Sequence, residues 1–238
     1  MLDLRLHPQL ETLSLERQEQ LKALRALMAS QGSVLVAYSG GVDSTLVAAI
    51  AAEQLGEQVE AVTGISPALA PHLLEEARWQ AAWLGLTHRE LVTAELNNPQ
   101  YASNPVDRCY FCKQELHALL AQLAQQAGAA QVLDGVNLDD LGDHRPGLVA
   151  AAEQGVLSPL VSCGIDKDGV RQLSRALGFP WWDKPAQPCL ASRIPFGEEI
   201  SSKRLKQIAL AEEWIINQGF AKVRVRSQGL SARIELPA

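Results

Sequence analysis

Apolar and polar residues follow two alternating patterns along the first three quarters of the chain. Short β-branched and apolar runs predict buried strands at residues 34–38, 59–65, 86–92 and 132–133. Apolar residues at helical spacing predict helices at residues 14–31, 46–56, 72–84, 108–126, 148–154, 168–177 and 201–217. Strands that alternate with helices are typical of βαβ units, so we predict an α/β fold with a doubly wound parallel sheet.

The pattern changes at about residue 180. Residues 181–197 contain three prolines and no clear period, which predicts a loop. Residues 222–226 and 231–236 alternate with period two around a Ser-Gln-Gly turn, which predicts an antiparallel hairpin. We therefore predict a large α/β domain over residues 1–180 and a small α+β domain over residues 181–238.

Composition and charge narrow the class of protein. The chain has 47% hydrophobic and 20% charged residues, which is ordinary for a globular protein. No apolar segment reaches the roughly 20 residues of a membrane span, and the N-terminus does not resemble a signal peptide, so we expect a cytoplasmic protein. The net charge of −6 argues against general nucleic-acid binding, although residues 201–233 carry a local excess of basic residues.

One stretch predicts an anion site. A strand ends at Tyr38, the sequence Ser39-Gly40-Gly41-Val42-Asp43-Ser44 follows, and a helix begins. Glycines allow close approach of a ligand, and the amides of a helix N-terminus attract phosphate. The alternative is a plain glycine turn with Asp43 or Ser44 as the helix cap. For Asp43, a contact with Mg²⁺ and a capping role are both open.

A second polar cluster follows the strand at 132–133. It reads Asp134-Gly135-Val136-Asn137-Leu138-Asp139-Asp140. Open α/β sheets bind ligands at the carboxyl ends of their strands. We therefore expect Gly135, Asn137, Asp139 and Asp140 to lie beside a nucleotide or a metal ion, although some of them can simply shape the turn.

Three cysteines form the third candidate group. Cys109 and Cys112 make a CxxC pair, and Cys189 lies in a Pro-Cys-Leu-Ala-Ser-Arg segment. Three thiolates suit a [4Fe–4S] cluster with one open iron. A zinc site would need a fourth ligand, and a redox dithiol or inert buried thiols are further alternatives. Cys163 is interpreted as a core residue.

Five motifs in this order resemble the LarE family of ATP-dependent sulfur transferases within the ATP pyrophosphatase (PP-loop) superfamily. They are SGGVDS, RCYFCK, DGVNLDD, GDHRPG and PCLASR. The family helps to make the nickel-pincer nucleotide cofactor of lactate racemase. The resemblance implies that ATP adenylates a carboxylate of pyridinium-3,5-biscarboxylic acid mononucleotide with release of pyrophosphate. A sulfur nucleophile then displaces AMP and leaves a thiocarboxylate.

The resemblance also implies roles for individual residues. The residues implied to bind ATP and Mg²⁺ are Ser39, Gly40, Gly41, Asp43, Ser44, Gly135, Asn137 and Asp140. The residues implied to bind the substrate are Ser192, Arg193, Arg224, Arg226 and Glu235. The residues implied to take part in catalysis are Cys189, Cys109, Cys112, Asp43 and Arg193. For the three arginines, a solvated basic face is the alternative to an anion site.

Two branches of the family differ in the source of sulfur. In one, the counterpart of Cys189 gives up its own sulfur and becomes dehydroalanine. In the other, three cysteines hold a [4Fe–4S] cluster that carries an extra sulfide. The presence of Cys109, Cys112 and Cys189 indicates the cluster branch. The resemblance further implies a homo-oligomer, in particular a hexamer, and contact with other proteins of cofactor biosynthesis.

Three rival functions stay open on sequence alone. An ammonia-dependent amidotransferase similar to NAD synthetase or GMP synthetase shares the ATP loop but does not call for cysteines at the active site. A tRNA thiolase combines the loop with cysteines but needs a nucleic-acid platform. A non-catalytic nucleotide-binding or iron–sulfur regulator would bind ATP without releasing pyrophosphate.

Overall fold

The protein contains a four-stranded parallel sheet covered by helices. The structure is a computed structural model that describes residues 12–128, 130–142, 146–220 and 222–236. The sheet strands are β1 (Val34–Ala37), β2 (Val59–Ile65), β3 (Thr87–Val92) and β4 (Gln131–Leu133). Their order is β3-β2-β1-β4, with every neighbouring pair parallel. The predicted α/β class and parallel sheet are therefore confirmed.

Nine α-helices occur in the described part of the chain. They are α1 (Leu15–Ala29), α2 (Val42–Leu55), α3 (Pro71–Leu84), α4 (Pro99–Ala102), α5 (Arg108–Gln126), α6 (Pro146–Glu153), α7 (Pro159–Ser162), α8 (Lys167–Ala176) and α9 (Ser202–Asn217). None of these helices is both long enough and apolar enough to cross a bilayer. Residues 143–145 of the predicted GDHRPG motif lie outside the described residues.

The alternation of side chains along β1 explains why both faces of the sheet are covered. Val34 and Val36 belong to a core shared with α1, α2 and α8. Leu35 points to the opposite face, where it packs in a cluster with Leu120 of α5. Strand β1, which leads into the Ser39–Ser44 loop, is consequently packed on both faces, and its carboxyl end is held in a defined place.

The C-terminal segment contributes a two-stranded antiparallel sheet, β5 (Arg224–Gln228) and β6 (Ser231–Glu235). This confirms the predicted hairpin. The preceding loop and α9 share a hydrophobic cluster with residues of the first part of the chain, including Leu190, Leu205 and Tyr101. The boundary at residue 180 stays a prediction.

Trp79 and Trp83 of α3 differ in how deeply they are buried. Their spacing of four residues predicts that both face the core. Trp83 packs against the core cluster, whereas Trp79 is 53% exposed and contacts the edge of Trp181. Four-residue spacing places two side chains on one helix face, but it does not fix how far the neighbouring segment covers each of them.

Candidate active site

The loop between β1 and α2 is shaped around its two glycines. Gly40 has φ +67, and an added Cβ would lie 2.9 Å from Cα of Ala77 on α3. Gly41 is the N-cap of α2 and no side chain caps the helix. The alternative that Asp43 or Ser44 caps this helix is therefore wrong. The first amides of a helix lack intrahelical partners, so this end is available to an anion.

The two serines of the loop hold each other in place. Ser44 Oγ accepts a hydrogen bond from the Ser39 amide at 3.2 Å and donates to the Gly41 carbonyl at 3.2 Å. The Ser39 hydroxyl lies 3.2 Å from Ser44 Oγ and accepts from the Gly41 amide. Ser44 is buried, whereas Ser39 is exposed. This network fixes the curvature of the loop.

The polar cluster after β4 packs directly against the start of α2. An added Cβ on Gly135 would lie 2.6 Å from the Ser44 amide nitrogen, so this position requires glycine for close packing. Buried Asn137 donates from Nδ2 to Asp43 Oδ1 at 3.2 Å. Its own amide donates to Asp140 Oδ2 at 3.1 Å. The structure thus brings Gly135, Asn137 and Asp140 beside the Ser39–Ser44 loop.

Asp43 is engaged on both carboxylate oxygens. Its Oδ2 accepts from Lys167 Nζ at 2.5 Å, and its Oδ1 accepts from Asn137. The Lys167 amide donates to Asp139 Oδ2 at 3.1 Å, which joins the start of α8 to the same network. Asp43 therefore links three segments, and a Mg²⁺ ion bound there would compete with Lys167.

A cavity of about 540 Å³ opens beside this network. Ser39, Asp43 and Ser44 line one part of it, and Cys109 lines another. Asp134, at the end of β4, also faces the cavity, and burial raises the pKa of its carboxyl group. A thiol and a phosphate-type loop thus share one cavity.

Helix α5 contributes two cavity residues that had no predicted role. Lys113 and His117 follow Cys109 at intervals of four residues and line the same cavity. Lys113 is exposed and has no ion-pair partner among the described residues. The four-residue spacing within the predicted helix was the signal that could have identified both.

Cys112 and Cys189 affect each other electrostatically near the start of α5. Burial is the main cause that raises the pKa of Cys112 to about 12, and Glu95, Cys189 and Cys109 raise it further. Burial also raises the pKa of Cys189, whereas the charge of Arg108 lowers it. Cys189 still keeps an exposed surface.

The three thiols influence one another, but they do not form a ready metal site. Their mutual electrostatic effects place Cys109, Cys112 and Cys189 near one another. Within residues 12–128, 130–142, 146–220 and 222–236, no group of three or more cysteine, histidine or acidic side chains is arranged to hold a metal ion. As they stand, the thiols do not satisfy the geometry of a cluster.

Asn104 connects the two segments that carry the cysteines. Its backbone has φ 55, and its Nδ2 donates to the carbonyls of Pro195 at 2.7 Å and Glu198 at 3.1 Å. Its Oδ1 accepts from Arg108 on α5 at 3.0 Å. This buried clamp holds the loop that follows Cys189 against the start of α5. Asn104 lies outside the five motifs, and Arg108 is the first residue of RCYFCK but had no predicted role of its own.

Arg193 is fixed by a buried ion pair. Its Nε and Nη2 donate to the two carboxylate oxygens of Glu212 at 2.9 and 3.0 Å, and both side chains are buried. Its Nη1 donates to the carbonyls of Pro188 and Cys189 at 2.7 and 3.3 Å. Glu212 also accepts from the Val225 amide. Arg193 therefore holds the Cys189 loop and the hairpin together.

A second cavity, of about 340 Å³, lies between that loop and the hairpin. Its basic lining includes Arg224 and Lys222, neither of which has a carboxylate partner in the described part of the chain. Arg226 instead donates to Glu235 at 2.9 Å and to the Ser192 carbonyl at 2.8 Å. Arg224 is thus free to meet an anion, whereas Arg226 and Glu235 support the loop around Ser192.

Comparison with known proteins identifies the family. Residues 17–136, about half of the chain, match the asparagine synthase family. The chain is 35% identical over 227 residues to the pyridinium-3,5-bisthiocarboxylic acid mononucleotide synthase of Lactiplantibacillus plantarum, covering 95% of this chain and 81% of that protein. The chain belongs to the LarE family of ATP-dependent sulfur transferases.

Two uncharacterised proteins are also similar to this chain. An uncharacterised protein of Synechocystis is 51% identical over 220 residues, which cover 92% of this chain and 82% of that protein. An uncharacterised protein of Methanocaldococcus jannaschii is 30% identical over 205 residues, which cover 85% and 77%. The predicted family and the predicted enzyme class are confirmed.

Proposed function

We propose that this enzyme converts a carboxylate of pyridinium-3,5-biscarboxylic acid mononucleotide into a thiocarboxylate. The observation that carries the proposal is that Cys109 and the PP-loop serines line the same cavity. An amidotransferase would not need a thiol beside its nucleotide. The name of the Lactiplantibacillus relative supports the choice of substrate.

The first step is activation of the carboxylate. The Ser39–Ser44 loop and the N-terminus of α2 would bind the phosphates of ATP, and Lys113 would add positive charge. Mg²⁺ would take most of its ligands from phosphate and water, with Asp43 or Asp140 as a protein ligand. The substrate carboxylate attacks the α-phosphorus, the bond to pyrophosphate breaks, and an acyl adenylate results.

The second cavity is the proposed site for the substrate. Arg224 and Lys222 offer unpaired positive charge to its phosphate and carboxylate groups. Arg193, Arg226 and Glu235 act as positioning residues, because their polar atoms already bind the segments around Cys189 and Ser192. Cys189 lies next to Pro188, which lines this cavity.

The second step is sulfur transfer. We propose that Cys109, Cys112 and Cys189 would hold a [4Fe–4S] cluster, which would supply sulfide to the acyl adenylate as AMP leaves. The proximity of the three thiols supports this route, although they would have to move closer to ligate iron. Burial keeps Cys112 and Cys189 protonated at neutral pH, so bound metal would displace their protons. Sacrifice of the Cys189 sulfur is the alternative route.

The experiment is pyrophosphate release with the pyridinium substrate, combined with iron and acid-labile sulfide analysis of anaerobically purified protein. We expect substrate-dependent pyrophosphate release that Ser44→Ala abolishes, and iron that Cys189→Ala loses. If the protein stays free of iron after reconstitution and Cys189 loses its sulfur after one turnover, the sacrificial route is correct and the cluster route is wrong. Pyrophosphate release that is unaffected by Ser44→Ala would refute the ATP site.

A homo-oligomer, contact with other proteins of cofactor biosynthesis and a cytoplasmic location stay predictions. Nucleic acid is not proposed as a partner. The tRNA thiolase alternative would require RNA-dependent pyrophosphate release, which the same assay measures when tRNA replaces the pyridinium substrate.

A further inference from the structure

His117 is a buried group in the nucleotide cavity that the proposed chemistry does not use. It lies on α5 two turns beyond Cys109, on the face that lines the cavity, and its side chain is 1% exposed. Its Nδ1 is buried and has no hydrogen-bond partner among the described residues. A buried polar atom without a hydrogen-bond partner costs free energy. Such an atom in a cavity therefore indicates a ligand that forms the missing hydrogen bond.

The surroundings of His117 define what it can bind. Burial, together with the charge of Lys113, lowers the pKa of the imidazole to about 3. The ring is therefore neutral at physiological pH and offers one donor and one acceptor. Asp134 lines the same cavity, and Lys113 supplies positive charge one helical turn closer to Cys109. The anionic part of the ligand already has Lys113 and the PP-loop, so His117 suits an uncharged group.

We propose that His117 is a specificity-determining residue whose neutral ring hydrogen-bonds an uncharged polar group of the bound nucleotide, on its base or its ribose. The inference rests on the proposed function, since it assumes that this cavity holds ATP. Apolar side chains such as Val136, Leu148 and Ala151 also line the cavity and offer a surface for a base.

The test compares His117→Leu with His117→Asn. Leucine removes the polar group at similar bulk, whereas the asparagine amide can replace Nδ1. Affinity is measured by calorimetry with α,β-methylene-ATP, which cannot be cleaved between its α- and β-phosphorus atoms. We expect His117→Leu to raise the Kd about three- to tenfold, as for the loss of one neutral hydrogen bond, and His117→Asn to stay within about twofold of the parent.

Stability of the ligand-free protein gives an independent readout. His117→Leu removes an unpaired buried polar atom, so its thermal midpoint should rise. A histidine with a merely structural role would produce the opposite shift. His88→Leu is the matched control, because His88 lies outside the cavity and its Nε2 bonds Thr63 Oγ1 at 2.8 Å. This control should lower the midpoint and leave the Kd unchanged.

Modified nucleotides identify the group that His117 contacts. Inosine, 7-deazaadenosine and 2′-deoxyadenosine triphosphates are compared in the parent and in His117→Leu by competition with the analogue. We expect one of them to bind more weakly than ATP in the parent but equally well in the variant. Equal Kd values for parent and His117→Leu would overturn the inference alone. No binding of the analogue to the parent would overturn the ATP site as well.

Discussion

The buried pair of Arg193 and Glu212 provides the sharpest test of how the Cys189 loop is held. The perturbation is Glu212→Ala. This change removes the two carboxylate oxygens that accept from Arg193 Nε and Nη2, one of which also accepts from the Val225 amide. Because the side chains of Arg193 and Glu212 are only 7% and 2% exposed, water cannot readily replace the lost carboxylate.

The expected magnitude follows from that burial. Leaving one charge of a buried ion pair without its partner costs about 3–5 kcal/mol. For a domain of this size, a loss of 1 kcal/mol in the free energy of unfolding lowers the midpoint of thermal unfolding by roughly 2–4 °C. The midpoint should therefore fall by about 6–20 °C. The carbonyls of Pro188 and Cys189 would also lose a fixed donor, and sulfur transfer should fall more than nucleotide binding does.

The assay is thermal unfolding followed by near-ultraviolet circular dichroism, with the Kd for α,β-methylene-ATP measured below the transition. Glu198→Ala is the control, because Glu198 pairs with Arg204 at the surface and should change the midpoint little. A midpoint within 2–3 °C of the parent for Glu212→Ala would refute the view that this pair secures the loop.

Three further outcomes are expected. Gly40→Ala should lower the free energy of unfolding by well over the about 1–2 kcal/mol that a left-handed backbone alone costs, because the new Cβ would collide with Ala77. Gly197→Ala is the control, since Gly197 has φ +81 but open space around it, and it should cost only that amount. Equal midpoints of the two variants in thermal unfolding would contradict this. Arg224→Ala should raise the KM for the pyridinium substrate about tenfold or more, with little change in the KM for ATP. Steady-state kinetics in which only the KM for ATP rises would exclude the anion site. Because the pKa of Cys112 is raised to about 12, its alkylation by iodoacetamide should be slow at pH 8 and should still accelerate above pH 10. Peptide mass spectrometry measures this rate. A rate that levels off near pH 9 would disprove the effect of burial on the pKa.

The local parts of the site could be predicted from the sequence. The Ser39–Ser44 loop lies within one strand–turn–helix unit, and its geometry depends on residues a few positions apart. Gly135 and Asn137 were predicted for a similar reason, since both directly follow a strand. The fold followed from the same local patterns, because strands and helices have different periods.

Contacts between distant segments could not be predicted. Arg193 was assigned to substrate binding, but its partner Glu212 lies 19 residues away on another helix, and no local pattern links them. Asp43 likewise meets Lys167 over a separation of 124 residues. Lys113 and His117 were missed for another reason. Their spacing from Cys109 was visible, but which face of α5 turns toward the loop depends on how the helix packs on the sheet.

The central claim is that one site activates a carboxylate with ATP and then places sulfur on it. The most direct measurement is mass spectrometry of the pyridinium product after a single turnover with ATP under anaerobic conditions. The account predicts a thiocarboxylate formed together with AMP and pyrophosphate, and no such product from Cys189→Ala. A product that retains only oxygen, or an amide formed with ammonia, would contradict the account.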